Sequence, residues 1–344
     1  MTRHVTPPSP APLSRRALVS CAAHIALAAA VTPRALRALW ARAPLGPVVA
    51  REPFGALERV ADGVWALVST PLGGDRTTLS NGGIVAGRVG VLAVEGFNQP
   101  AGARWLAGKA RELTGRWPTH VVLTHYHADH ANGLAGYRDD GAARPTTRAT
   151  AVTRELVLLR NRPPATTPDS LRAARDSEFA SLGAALADAV VLNAAEPTAI
   201  DLGGRVARVV PRAGHTASDV SVELDEPSVV FAGDLLWNGM FPNYVDAAPA
   251  RLAASVRAMR RARSTVYVPG HGALAREADY DRYVALLDEV ERAARQAHAQ
   301  GTSAADAGAR FARPASLGEW ALFNRAFFER AFAAWYRELE RVTK

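Results

Sequence analysis

Thr124-His125-Tyr126-His127-Ala128-Asp129-His130 decides how this chain is read. Three imidazoles and a carboxylate follow one another directly after the apolar run Val121-Val122-Leu123. A short buried strand that stops here delivers four metal-competent groups to one sheet edge. Alternate residues of an extended segment share a side, so His125 and His127 point the same way. Asp129 and His130 begin the following turn of helix and can face a second ion. Zinc takes imidazole nitrogen and carboxylate oxygen at about 2.0–2.2 Å, so its ligands must converge from different parts of a chain. One ion could not accept all four groups without crowding.

Three later pieces can supply the rest. His215 stands in Gly214-His215-Thr216-Ala217-Ser218-Asp219 between two expected strands. Asp234 ends the apolar run 229–232 through Gly233, and His271 lies in Pro269-Gly270-His271-Gly272, again straight after a strand. Each sits beside a glycine, which lets another backbone or side chain come close. His4, His24, His120 and His298 fall outside these motifs and receive no role. Thr124 and Asp219 are candidates to accept the second ring N–H of a ligating histidine, with plain turn chemistry as the alternative.

Around these motifs the pattern alternates in kind. Runs at 64–68, 83–86 and 90–94 read as strands of a meander, and 99–113 has helical spacing with Ala103, Leu106, Ala110 and Leu113 on one face. A helical insertion is expected at about 162–194. Strands follow at 205–210, 220–224 and 229–232, then a helix at 248–261, a strand at 265–268 and helices from about Asp279. Two sheets packed face to face with helices outside fit this order. Residues 44–56, Pro-containing and irregular, read as a linker, 57–290 as the catalytic domain and 291–344 as a C-terminal helical extension.

The 344 residues carry a formal net charge of +8. Six arginines and no acid fall within residues 1–50, leaving 35 basic against 33 acidic residues beyond them. A nearly neutral body argues against a nucleic-acid-binding face. The basic leader, residues 1–43, carries Ser14-Arg15-Arg16-Ala17-Leu18 ahead of the apolar stretch 17–31, which resembles a twin-arginine export signal. The expected location is therefore periplasmic or extracellular, or cytoplasmic if the leader is not functional. That stretch is shorter than the ~20 residues a membrane span needs. The single cysteine, Cys21, lies inside the leader, so a processed chain would have neither disulfides nor thiolate ligands.

H-x-H-x-D-H, a lone histidine, G-D and P-G-H-G, in that order over residues 125–271, resemble the metallo-β-lactamase superfamily. The resemblance implies a four-layered αββα sandwich with metals at one rim of the sheets. It places His125, His127 and His215 on a first zinc, Asp129, His130 and His271 on a second, and Asp234 between them. A water shared by the two ions would then ionise near neutral pH and act as nucleophile. Asp129 could orient it, which with Asp234 gives two catalytic carboxylates. Gly233-Asp234-Leu235-Leu236-Trp237-Asn238-Gly239 and Tyr244-Val245-Asp246-Ala247 are similar to exported hydrolases associated with sulfur-oxidation and quinoprotein systems. Two departures stand out. Val94-Glu95-Gly96 puts glutamate where the family has an aspartate turn, a change expected to alter loop packing more than chemistry. Aspartate at 234 replaces the Cys or Ser of the true β-lactamases, which points toward thioesterases, lactonases and phosphodiesterases.

Trp237, Asn238, Met240, Phe241, Asn243 and Tyr244 follow Asp234 closely and are expected to line a pocket for a small organic ester, thioester, lactone or amide. Trp320, Phe323, Phe327, Phe328, Phe332, Trp335 and Tyr336 recur at helical spacing and are expected to pack a core or a subunit contact. Three alternatives accompany the dizinc hydrolase: β-lactam hydrolysis, a mononuclear iron persulfide dioxygenase using His125, His215 and Asp234, and a non-catalytic metal-binding protein.

Overall fold

In the computed structural model, which describes residues 43–138 and 144–342, the apolar residues of the strands sort by parity into separate cores. The first sheet has eight strands in sequence order: β1 (Val48–Glu52), β2 (Gly55–Ala61), β3 (Val64–Ser69), β4 (Gly82–Ala86), β5 (Val91–Val94), β6 (His120–Val122), β7 (Thr146–Thr150) and β8 (Val190–Leu192). It is antiparallel up to β5 and parallel from β5 to β8. The second has five strands in the order β13 (Val266–Gly272), β12 (Val229–Asn238), β11 (Asp219–Leu224), β10 (Val206–Arg212), β9 (Thr198–Asp201), with β12 and β13 parallel.

Val64 and Ala66 of β3 and Leu92 and Val94 of β5 meet Val209, Val222, Phe231 and Val268 of the second sheet in the central core. Their neighbours Trp65, Leu67, Val91 and Ala93 point the other way, onto α1 (Pro100–Thr114). Val230 and Ala232 of β12 likewise leave the central core for the outer one. There they meet α5 (Pro249–Ala258), α6 (Glu277–Ala299), α7 (Ala304–Arg310) and α8 (Ala326–Val342). Helix, sheet, sheet, helix is the layer order. β12 is buried along its whole length, which explains why its sequence reads as apolar on both faces, 229–232 and 235–237, rather than as an alternation.

Three expected boundaries are corrected. Residues 44–56 are not a linker. They form β1 and the start of β2, an antiparallel edge whose exposure alternates residue by residue, with Pro47 and Pro53 at its ends rather than inside it. The helical insertion at 162–194 is part of the outer layer. α3 (Ala151–Arg160) precedes it, α4 (Asp169–Ala187) packs Leu182, Ala185 and Leu186 into the first sheet's core, and β8 closes the segment as a sheet strand. No boundary falls at 290/291 either, because α6 runs through it, and Phe327, Phe332 and Trp335 of α8 share one core with β12. The expected leader lies outside the described residues, apart from Ala43. Among the described residues no helix is long and apolar enough to cross a membrane.

Candidate metal centre

Each expected ligand leaves the sandwich at the same rim. His125 and His127 follow β6, Asp129 and His130 lie in the short helix α2 (Ala128–Ala131), and His215 lies between β10 and β11. Asp234 and His271 stand inside β12 and β13, both of which continue past them, where the sequence had suggested strand ends. β12 is kinked there. Gly233 takes φ 51°, and the register with β13 shifts on both sides of it. A Cβ on Gly233 would lie 2.6 Å from Thr124 Oγ1, and one on Gly270 would lie 1.9 Å from Asp234 Oδ1. The glycines are what let these strands approach closely enough to share a site.

Two donor sets result, each with its ligand atoms within 4.8 Å of one another: His125, His127, His215 and Asp234, and Asp129, His130 and His271. His127 Nδ1 lies 3.1 Å from His125 Nε2 and 3.0 Å from His215 Nε2. Asp234 divides its two oxygens. Oδ2 is 3.2 Å from His215 Nε2 and 3.9 Å from His125 Nε2. Oδ1 is 3.1 Å from His130 Nε2 and 3.4 Å from His271 Nε2, while Asp129 Oδ2 is 3.2 Å from His271 Nε2. Tetrahedral ligands at zinc–nitrogen distance stand about 3.3 Å apart, which is the spacing found here.

The hydrogen bonds fix the tautomers. Thr124 Oγ1 donates to Glu95 Oε1 at 2.5 Å and so is left to accept from His125 Nδ1 at 3.0 Å, which makes His125 Nε2 a lone pair. His127 Nε2 faces the Asp246 carboxylate at 3.1 Å, so its Nδ1 is a lone pair too. His130 Nδ1 faces Glu95 Oε1 at 3.0 Å, which turns its Nε2 toward Asp234 Oδ1 at 3.1 Å, and against its burial the carboxylates there raise His130 well above its ordinary value. A buried imidazole nitrogen and a carboxylate oxygen at this distance need a proton or a metal ion between them. The residues fit metal ions, by donor chemistry as well as by spacing.

The charges agree. His125 is held well below its ordinary value, first by burial and then by the imidazoles of His130 and His127. Burial would also lower His271, but Asp234 and Asp129 overcome it and raise that group to about 9. Burial opposes the charge on Asp234 as well, yet His271, His130 and His215 hold its carboxyl well below the usual range. The carboxylates draw positive charge into a buried pocket, and protons take that place when no ion does.

Several supporting residues were not assigned these roles by the sequence. Glu95 is 1% exposed and binds both Thr124 and His130, so it orients ligand side chains rather than only packing a loop. Asp246 joins Tyr126, whose hydroxyl donates to Oδ2 at 2.5 Å, to His127, and these bonds hold its carboxyl down at about 2. Asn81 donates to the carbonyls of Pro269 and Gly272 and thereby fastens the His271 segment to β4. Thr124 serves a histidine ring as expected. Asp219 does not, since it binds the backbone N–H groups of His215 and Thr216 instead. A signal existed for Asp246, in Tyr244-Val245-Asp246-Ala247, but its partner is 119 residues away.

A cavity of about 440 Å³ opens over His127, Asp129, Asp234 and His271. Trp237 and Asn243 line it. Asn238, Phe241 and Tyr244 do not, and Met240 is also core. Asn238 donates to the carbonyls of Ala273 and Leu274, and Phe241 packs edge-on to Phe328. Their places near the site are taken by Phe323 and Phe327, which the sequence had given to core or subunit packing.

The metallo-beta-lactamase superfamily profile matches residues 96–271. No curated protein sequence matches the chain. Among solved structures, a metallo-β-lactamase from Erythrobacter litoralis is similar over 70% of this chain and 99% of its own, at 21% identity and TM-score 0.53. A mono-zinc metallo-β-lactamase from Pseudomonas aeruginosa is similar over 72% of this chain and 97% of its own, at 21% identity and TM-score 0.51. A stereoselective inverting sec-alkylsulfatase from Pseudomonas sp. is similar over 83% of this chain and 50% of its own, at 14% identity and TM-score 0.62.

Proposed function

The chain belongs to the metallo-β-lactamase superfamily, whose members are usually metal-dependent hydrolases, and from that premise we propose that it is a dizinc hydrolase of an ester, thioester, lactone or amide. The observation that carries this reading is the divided carboxylate of Asp234, with Oδ2 toward one histidine set and Oδ1 toward the other. His125, His127 and His215 would hold one ion and Asp129, His130 and His271 the second, with Asp234 shared. When bound, such ions acidify water and polarise the acyl oxygen of a substrate.

The chain's own residues do the rest. Glu95 and Thr124 hold the imidazole tautomers that leave nitrogen lone pairs facing inward. Asp129, a quarter exposed on the cavity floor, is placed to accept a hydrogen bond from an attacking water and to orient it. Trp237 lies at 4.1 Å over the His271 ring and shields that side from solvent. An iron dioxygenase using one set would leave Asp129, His130 and His271 without a purpose, although their ligand atoms converge within 4.8 Å of one another like those of the first set. Export through the twin-arginine leader belongs to the same proposal, on the strength of Arg15-Arg16 and the apolar stretch after them.

The test is turnover by chelator-treated protein on a panel of thioester, lactone, β-lactam, phosphodiester and alkyl sulfate substrates, before and after zinc is returned. Zinc-restored hydrolysis of an acyl substrate is expected. Recovery only with iron, with oxygen uptake on glutathione persulfide, would overturn the reading.

A further inference from the structure

The cavity over the metal centre is lined by two chemically different sets of side chains. Arg76 and Arg160 make up one set, both exposed. Among the described residues no acid forms a salt bridge with either. Arg160 acts on Asp246 and Tyr126 only at a distance, and Asp246 Oδ2 already accepts from Tyr126 and His127. The segments that carry these arginines are pinned. Asn98 Nδ2 donates to the Arg76 carbonyl at 2.7 Å, and Asn161, next to Arg160, donates to the Tyr126 carbonyl at 2.8 Å. The other set is apolar and partly exposed. Phe323 is 36% exposed and Val245 42%, and Phe323 stacks on Phe327 with the rings 12° from parallel.

Resting on the hydrolase reading above, we propose that the substrate is an amphiphile whose monoanionic group is held by Arg76 and Arg160 while its apolar chain lies on Phe323, Phe327 and Val245. Exposed guanidinium groups without a salt-bridged acid at the mouth of a cavity favour a carboxylate or sulfonate, which their paired N–H donors match. Phe323 and Val245, exposed at one cavity with the buried Phe327 rather than scattered over a surface, mark a place that apolar groups cover. The reacting bond would lie between the two sets, over Asp234 and Asp129. A second cavity of about 520 Å³ is also lined by Arg76, Asn98 and Asn161, which leaves the anionic end of the site room for a larger head group.

Calorimetric titration of the zinc-loaded protein with octanoate, octanesulfonate and octanamide tests this without any need for turnover. Both anions should bind about fivefold or more tightly than the amide, with a difference that shrinks as salt rises. In the double variant Arg76→Gln/Arg160→Gln that difference should vanish, and Phe323→Ala should weaken all three ligands. Equal binding of anions and amide by the parent protein would overturn the proposal. A preference for anions that survives the double substitution would place them on the metal centre and overturn it equally. Should the anion preference follow the arginines while no acyl substrate is hydrolysed, the hydrolase reading fails and the assignment of the two sets stands.

Discussion

Glu95 Oε1 lies 3.0 Å from His130 Nδ1, and this single contact turns the opposite ring nitrogen toward Asp234. Carboxylates that hold a ligating imidazole in this way typically contribute 10–100-fold in metal affinity. Glu95→Gln cannot accept from both Thr124 and His130 with the same charge. Chelator competition should therefore show zinc at the Asp129, His130 and His271 set weakened by about 10–100-fold, more than at the other set. Two ions held as tightly as in the parent would refute the role.

Gly270 faces Asp234 at a distance no side chain tolerates. A Cβ there would meet Oδ1 at 1.9 Å and the Gly233 carbonyl carbon at 2.8 Å, and the second is backbone that cannot swing away. Gly270→Ala should cost about 1–3 kcal/mol by overpacking and displace the shared carboxylate. Denaturant unfolding together with zinc content checks both, and retention of two ions at unchanged stability would contradict the account.

Protonation of the empty site gives a pH signature. The carboxylates of Asp234 and Asp129 outweigh burial and raise His271 to about 9, against about 6.5 for an unfolded chain. A raised folded value means that the stabilisation is complete below about pH 6.5 and is lost as the pH climbs toward 9. Metal-free protein should thus melt at falling temperatures across that window, and zinc, by displacing the protons, should flatten the slope. A metal-free melting temperature that stays level or rises there would be inconsistent with this site.

Trp237 joins the site to the core. Its ring lies 4.1 Å from that of His271, meets Phe327 edge-on, and is 3% exposed. Trp237→Ala should destabilise the fold by about 3–5 kcal/mol and loosen His271. A loss below about 1 kcal/mol in denaturant titration would show that the packing is not needed.

The seven candidate ligands were legible because the chemistry marks itself. Imidazoles and carboxylates rarely gather beside apolar strands and glycines without a reason, and the spacing survives in sequence. The layer order was legible from strand and helix periodicity for the same local reason. What depends on the fold was not. Glu95 reaches His130 across 35 residues and Asp246 reaches His127 across 119, and neither distance leaves a pattern in the chain. Asn238, Phe241 and Tyr244 were misplaced because closeness to Asp234 in sequence was taken for closeness in space. Asn238, at the end of β12, turns to the Ala273 and Leu274 carbonyls, and the segment after it turns Phe241 and Tyr244 into the core, while Phe323 and Phe327 arrive at the cavity from far along the chain. Residues 44–56 misled through their prolines, which flank a short edge strand instead of interrupting it.

The pair of ions shared by Asp234 is the claim on which the account stands. Zinc per chain, measured by mass spectrometry after saturation and exhaustive dialysis, tests it most directly when the parent is run beside Asp234→Ala. The account predicts two ions in the parent, fewer in the variant, and turnover abolished with them. A parent that retains no more than one ion, or a variant that keeps two and full activity, would contradict it.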